Sequence, residues 1–147
     1  LKIPSALSYR TIAKDTSGYS YKIVQKYLEF LKELYIVDVA YLKEGNKILY
    51  RKEKKIFFRD PLLLNLFSEW SNSKYLESAL YENIVQEHLY RKFGEIYYYK
   101  NSYEIDCISN NMKIEIKTGK PHRNYPKDVI ILDKEDIPKF LINLFED

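Results

Sequence analysis

A single cysteine, Cys107, serves the whole 147-residue chain, so no internal disulfide can form. A thiol among strand residues is expected to be buried and inert. No run approaches the roughly 18–20 apolar residues needed to span a bilayer, and the N-terminus lacks a charged-then-apolar export pattern. A cytoplasmic protein with no membrane partner is therefore expected. Glycine is scarce, at four residues. None builds a phosphate loop of the G-x-x-x-x-G-K-[ST] form, because Gly119-Lys120 is followed by Pro121 and has no upstream glycine. ATP is not expected to be bound by this chain. Of the two histidines, His88 falls near the apolar side of a helical segment and reads as a packed residue. The chain opens on Leu1 and its first residues already read as structured, which suggests a piece of a longer protein.

What is present is a globular composition, 46% hydrophobic and 31% charged. The net charge of +3 is unevenly spread: residues 1–70 carry 13 Lys and Arg against 8 Asp and Glu, whereas residues 71–147 carry 11 against 13. A basic first half suits contact with a phosphate backbone. A lysine-rich surface of the kind an AT-rich genome encodes is the plainer reading, and the 15 tyrosines fit it too.

Residues 1–58 read as helix, helix, helix, hairpin. Ser8 is placed to cap a short helix through Lys14, with Asp15–Gly18 as the turn. After Ser20, apolar Ile23, Val24, Tyr27, Leu28, Leu31 and Leu34 form one helical stripe. Ile36–Leu42 alternates as a strand, Gly45-Asn46 turns, and Lys47–Arg51 returns. Helix, turn, helix and a two-stranded wing make the winged-helix pattern. In that pattern Tyr21, Lys22, Gln25 and Lys26 face a DNA major groove, and Lys43, Lys47, Arg51, Lys52, Lys54 and Lys55 meet phosphates. Docking onto another protein domain is the alternative use of such a module, and Tyr21 and Phe30 as exposed aromatics suit it.

Lys55–Arg59 reads as another short strand, and Asp60-Pro61 opens a helix to about Trp70, which is expected to anchor a domain interface. Ser71–Lys74 is the linker candidate. The expected organisation is a winged helix at 1–58, a linking helix and linker at 59–74, and a second domain at 75–147. In that second domain Leu76, Leu80, Ile84, Val85, Leu89 and Phe93 form a helical stripe stopped by Gly94. Strands Ile96–Tyr99, Tyr103–Ile108 and Lys113–Lys117 follow as a meander turned at Asn101-Ser102 and Asn110-Asn111, then a strand at Val129–Leu132 and a helix from Glu135 to Phe145. The fold class is α/β, in the α+β sense.

The residues suited to chemistry sit on two of these strands. Period-2 geometry puts Glu104, Asp106 and Ile108 on one face, with Cys107 opposite, and makes Glu115 and Lys117 share a face. A hairpin through Asn110-Asn111 sets Asp106 nearly opposite Glu115. Two facing carboxylates repel by a few tenths to about 1 kcal/mol, a penalty that a hard cation removes. Mg²⁺ or Mn²⁺ held by Asp106, Glu115 and the Ile116 carbonyl is expected. Lys117 would then serve as electrostatic catalyst and Glu82, reaching over from the preceding helix, as an assisting carboxylate.

Three segments, Leu80-Tyr81-Glu82-Asn83-Ile84-Val85, Glu104-Ile105-Asp106 and Glu115-Ile116-Lys117, together resemble the C-terminal region of archaeal AAA-type ATPases. That region is similar to the PD-(D/E)XK nuclease superfamily, which includes archaeal Holliday-junction resolvases. The stretch Lys55–Pro61 looks like the family's join between winged helix and nuclease-like part. The resemblance implies a restriction-endonuclease-like α-β-β-β-β-α domain after the winged helix, and DNA and an N-terminal ATPase domain as partners. It is compatible with an oligomer. It implies either a metal-dependent DNA phosphodiesterase or a catalytically inactive module for docking and regulation of the ATPase. One departure stands out: the superfamily's helix between third and fourth strands has only Thr118–Lys127 to occupy, with Lys120, His122 and Arg123 as stand-ins for its polar residue.

Overall fold

A computed structural model describes residues 5–16, 18–119 and 124–146. The elements run β1 (Ala6–Leu7), α1 (Tyr9–Asp15), α2 (Tyr21–Glu33), β2 (Val37–Glu44), β3 (Lys47–Phe58), α3 (Pro61–Trp70), α4 (Glu77–Phe93), β4 (Tyr97–Lys100), β5 (Glu104–Ser109), β6 (Met112–Ile116), β7 (Val129–Leu132) and α5 (Asp136–Phe145). The fold is mixed α/β. Local chemistry sets the ends: Ser8 and Ser20 accept from the backbone N–H groups of Thr11 and Ile23, and Asp60 caps α3 with Pro61 in its first turn. Gly94 closes α4 in the left-handed region at φ 70°. Asn110 and Asn111, both at positive φ, make the tight β5–β6 turn.

All seven strands lie in one sheet, ordered β1-β3-β2-β4-β5-β6-β7. β2 pairs in parallel with β4, Tyr41 facing Tyr97, so a continuous ladder joins the first half of the chain to the second across residues 71–74. The remaining neighbours are antiparallel except β6 and β7. Helices cover both faces of the sheet. Ala13, Val24, Leu28 and Leu64 of α1, α2 and α3 pack on Val37, Val39, Ile56 and Phe58. Val85 and Leu89 of α4, with Ile137 and Leu144 of α5, pack on Ala40, Phe57, Tyr98, Ile114 and Ile116. Among the described residues, no helix is long and apolar enough to cross a membrane.

Several expectations are corrected. Two helices, not three, precede the hairpin among the described residues, with the short β1 ahead of them. Lys47–Arg51 and the Lys55–Phe58 part of the second expected strand belong to one twelve-residue strand, β3, whose backbone pairs with β2 on both sides of a register shift at Tyr41/Leu42, and Arg59 lies just past its end. The α2 stripe is only half covered: Val24 and Leu28 are buried, but Ile23, Tyr27 and Leu34 are exposed. Trp70 is 84% exposed instead of anchoring an interface. A register shift between β4 and β5, where Tyr97 faces Ile108 and Tyr99 faces Ile105, takes Ile108 out of the Glu104–Asp106 face. Ile108 joins Ile105 and Val129 under Tyr97, Tyr99, Tyr103 and Tyr125, and Cys107 turns to the α4 side.

Candidate metal centre

The β5–β6 ladder pairs Cys107 with Ile114 and stops there. One step on, Asp106 stands opposite Glu115, and side chains take over the backbone's hydrogen bonds. The Asp106 N–H donates to Glu115 Oε2 at 3.2 Å, and the Ile116 N–H donates to Asp106 Oδ2 at 3.0 Å. This reciprocal pair spreads the strands and fixes both carboxylates at the mouth of the gap. Both residues are buried. Lys117 follows on the same side and ion-pairs with Glu115 Oε1, which also accepts from the Tyr125 hydroxyl at 3.0 Å.

Glu82 reaches the same place because α4 is locked to β3. The Asn83 amide clamps Phe58, accepting from its N–H at 2.7 Å and donating to its C=O at 3.1 Å. Glu87, also buried, binds Arg59 at 2.7 Å and Arg91 at 2.8 Å. With the helix so fixed, Glu82 faces β5. Gln86, one turn on, donates to Glu82 Oε1 at 3.1 Å, and its own Oε1 is buried with no partner among the described residues.

A residue expected on the phosphate-facing surface stands at the middle of this arrangement. Lys55 is 2% exposed, and its Nζ lies 2.7 Å from Glu82 Oε1, 2.9 Å from Glu104 Oε1 and 2.9 Å from Asp106 Oδ1. On β3 it alternates with Phe57 toward α4, while Lys54, Ile56 and Phe58 point the other way. Lys54 is likewise buried, over the Tyr9 ring at 4.2 Å. The expectation that Lys54 and Lys55 meet phosphates is therefore corrected: β3 is an interior strand, and its basic run is split between the two faces. A lysine two residues from Phe57 on a strand was the available signal.

Glu82, Glu104, Asp106, Glu115, Ile116, Lys55 and Lys117 line one pocket of about 260 Å³. Its four carboxylates face two ammonium groups, a formal excess of two negative charges. Burial, then the neighbouring Asp106, raises Glu82 to about 8 despite Lys55. The same two causes raise Glu115 to about 7 against the pull of Lys117 and Tyr125. Burial lowers the Lys55 ammonium, but Glu82, Asp106 and Glu104 outweigh it and hold its pKa above the ordinary lysine value. Lys117 is raised to about 12: burial opposes the charged form, and Glu115 and Tyr125 prevail.

The four residues expected to form the site, Glu82, Asp106, Glu115 and Lys117, are thus brought together, with Ile116 in the lining. Glu104, Lys55, Gln86 and Tyr125 complete the arrangement and were not foreseen in it. The donor set is hard oxygen and suits Mg²⁺ or Mn²⁺. The arrangement already surrounds one cation, the Lys55 ammonium, which serves as a stand-in. Among the described residues no three acidic, histidine or cysteine side chains converge on a metal-sized point; Glu82, Glu104 and Asp106 are turned to the Lys55 ammonium, and Glu115 to Lys117 and Tyr125.

On the outer side of α2, Tyr21, Lys22, Gln25 and Lys26 are all exposed and line one shallow hollow with Glu29, Phe30 and Glu33. Lys47 and Arg51 are exposed on β3. Thr118, Gly119 and 124–127 carry no helix, whereas Lys120, His122 and Arg123 lie outside the described residues. In comparisons with known proteins, no family model, no curated protein and no solved structure matches this chain.

Proposed function

We propose that the chain is a DNA-directed module in which a winged helix, residues 1–58, is fused to a nuclease-type domain of the PD-(D/E)XK kind, and that its pocket hydrolyses DNA phosphodiesters with Mg²⁺ or Mn²⁺. The observation that carries this reading is the opened β5–β6 ladder, which holds Asp106 and Glu115 side by side with Lys117 at the pocket mouth. Asp106, Glu115 and the Ile116 carbonyl are the groups to hold the ion. When bound, such an ion lowers the pKa of water and offsets charge developing on the phosphate. Lys117 supplies a positive charge to the same end. Glu82, raised to about 8, is poised to hold or release a proton near neutrality. Tyr21, Lys22, Gln25, Lys26, Lys47 and Arg51 would position the duplex. The parent ATPase domain implied by the resemblance would be the intramolecular partner.

A second reading, a non-catalytic docking module, is favoured by one observation: Lys55 already neutralises part of the carboxylate cluster. The two part on cleavage. With Mn²⁺ and branched or single-stranded DNA, the chain is expected to cut, and Asp106→Asn and Lys117→Ala to stop it. Cutting retained by both variants would remove the nuclease reading. DNA affinity that falls steeply with salt, with no metal-dependent cutting, would leave the docking module.

A further inference from the structure

We propose that Lys55 is a tethered counter-ion that gates this pocket: its ammonium and a divalent cation compete for the same carboxylates, and the ion enters as Lys55 withdraws. The inference rests on the metal-site reading but concerns a residue outside the expected ligand set. Three facts carry it. Lys55 Nζ is held by carboxylate oxygens from α4 and β5 at 2.7–2.9 Å, hydrogen-bond distances, and these are the oxygens a divalent cation in this pocket would draw on. One of them, Asp106 Oδ1, belongs to the central ligand candidate, whose other oxygen is committed to the Ile116 N–H. A divalent ion on Asp106 therefore meets the Lys55 ammonium on one oxygen and an oxygen already accepting a hydrogen bond on the other. Next to Glu82, the buried Gln86 Oε1 lacks a partner, so an acceptor remains beside the cluster after Lys55 has made its three bonds.

The charge balance gives the gate its direction. With Lys55 in place a divalent ion shares the Glu82, Glu104 and Asp106 oxygens with an ammonium, and with Lys55 withdrawn it meets one positive charge fewer there. Lys55 reaches the pocket from β3, the strand that also carries Lys47 and Arg51.

Metal binding is the readout, so an inactive enzyme does not confound it. Calorimetric titration with Mn²⁺ alone, on wild type, Lys55→Gln and Lys55→Gln/Asp106→Asn, is expected to show affinity about tenfold or more higher in Lys55→Gln, with the gain lost in the double variant. Equal affinity in wild type and Lys55→Gln, or binding by neither, overturns the gate. Should Lys55→Gln fail to fold, wild type decides alone. Reductive methylation read by mass spectrometry is expected to leave Lys55 protected without metal and modified with Mn²⁺, with exposed Lys22 as the internal reference. Lys55 protected in both conditions overturns the proposal. Tight Mn²⁺ binding by Lys55→Gln without DNA cutting would sink the nuclease reading and leave the gate standing.

Discussion

The two helical layers bury different kinds of side chain. On one face of the sheet, α1, α2 and α3 contribute Ala13, Val24, Leu28 and Leu64, yet leave Ile23 and Tyr27 in solvent along an apolar hollow of about 490 Å³. On the other face α4 buries Asn83, Gln86 and Glu87 and directs Glu82 at a buried lysine. The first layer adheres by apolar contact and leaves apolar surface over. The second is fixed by hydrogen bonds and ion pairs with specified partners, and so holds each side chain in one direction. Chemistry belongs on the second, since a site needs side chains locked by their own partners.

The sharpest break in that comparison is Glu87→Ala. Glu87 is buried between Arg59 and Arg91, and removing it leaves the largely buried Arg59 guanidinium over the Tyr90 ring with Asp38, at 3.7 Å, as its remaining carboxylate partner among the described residues. Breaking a buried pair from one side costs about 3–5 kcal/mol, a large share of the roughly 5–15 kcal/mol that a domain has. Urea unfolding is expected to show a loss of that size, and Mn²⁺ affinity to fall with it as Glu82 loses its fixed position. A loss below about 1 kcal/mol would mean that the polar layer is no more specific than the apolar one.

Acidity should move the polar layer by a smaller amount. Glu82 is raised to about 8 and Glu115 to about 7, against an ordinary value of 4.5. The folded chain therefore holds protons that the unfolded chain has released. Stability falls as pH rises from about 5 toward 8, on the order of 1 kcal/mol per unit for each of the two groups while it titrates. Lys55 adds nothing to the slope, because its raised pKa keeps it charged in both states throughout this window. Asp106→Asn removes a charge that raises both groups, so its melting temperature should depend less on pH than that of wild type. Parallel profiles would show that burial alone sets the two carboxyl groups.

Period and turn chemistry made much of this legible. Ser8, Ser20, Asp60 and Gly94 mark helix ends where expected, and Asn110-Asn111 sets the register that brings Asp106 opposite Glu115. What alternation leaves open is whether a face is covered. The run Arg51–Lys55 has the composition of a solvated edge, but β1 and β2 flank β3, and its ladder continues through Lys54 and Lys55. Lys55 goes inward because Phe57 does. The β4–β5 register shift was equally hidden, since an extra residue changes the phase of Ile108 without leaving a mark in composition. Alternation puts Glu104 on the Asp106 face, but its partner Lys55, and the contact of Tyr125 with Glu115, are of a sequence separation that no local pattern encodes.

The smallest effect expected is also the one that tests whether the apolar layer is complete. Tyr27 is 65% exposed, on the rim of the hollow between α1, α2 and the sheet. If that side chain meets only water, Tyr27→Ser removes no packing and restores a polar helix surface, and stability should change by less than about 0.5 kcal/mol. Unfolding at two protein concentrations separates the cases. A concentration-independent change of that size keeps the comparison as drawn, with apolar surface left over. A loss above about 1 kcal/mol that grows with concentration would mean that second copies of the chain cover the hollow, since burial of a large apolar side chain contributes roughly 1.5–3 kcal/mol. The apolar layer would then be as complete as the polar one, with its missing half supplied by association.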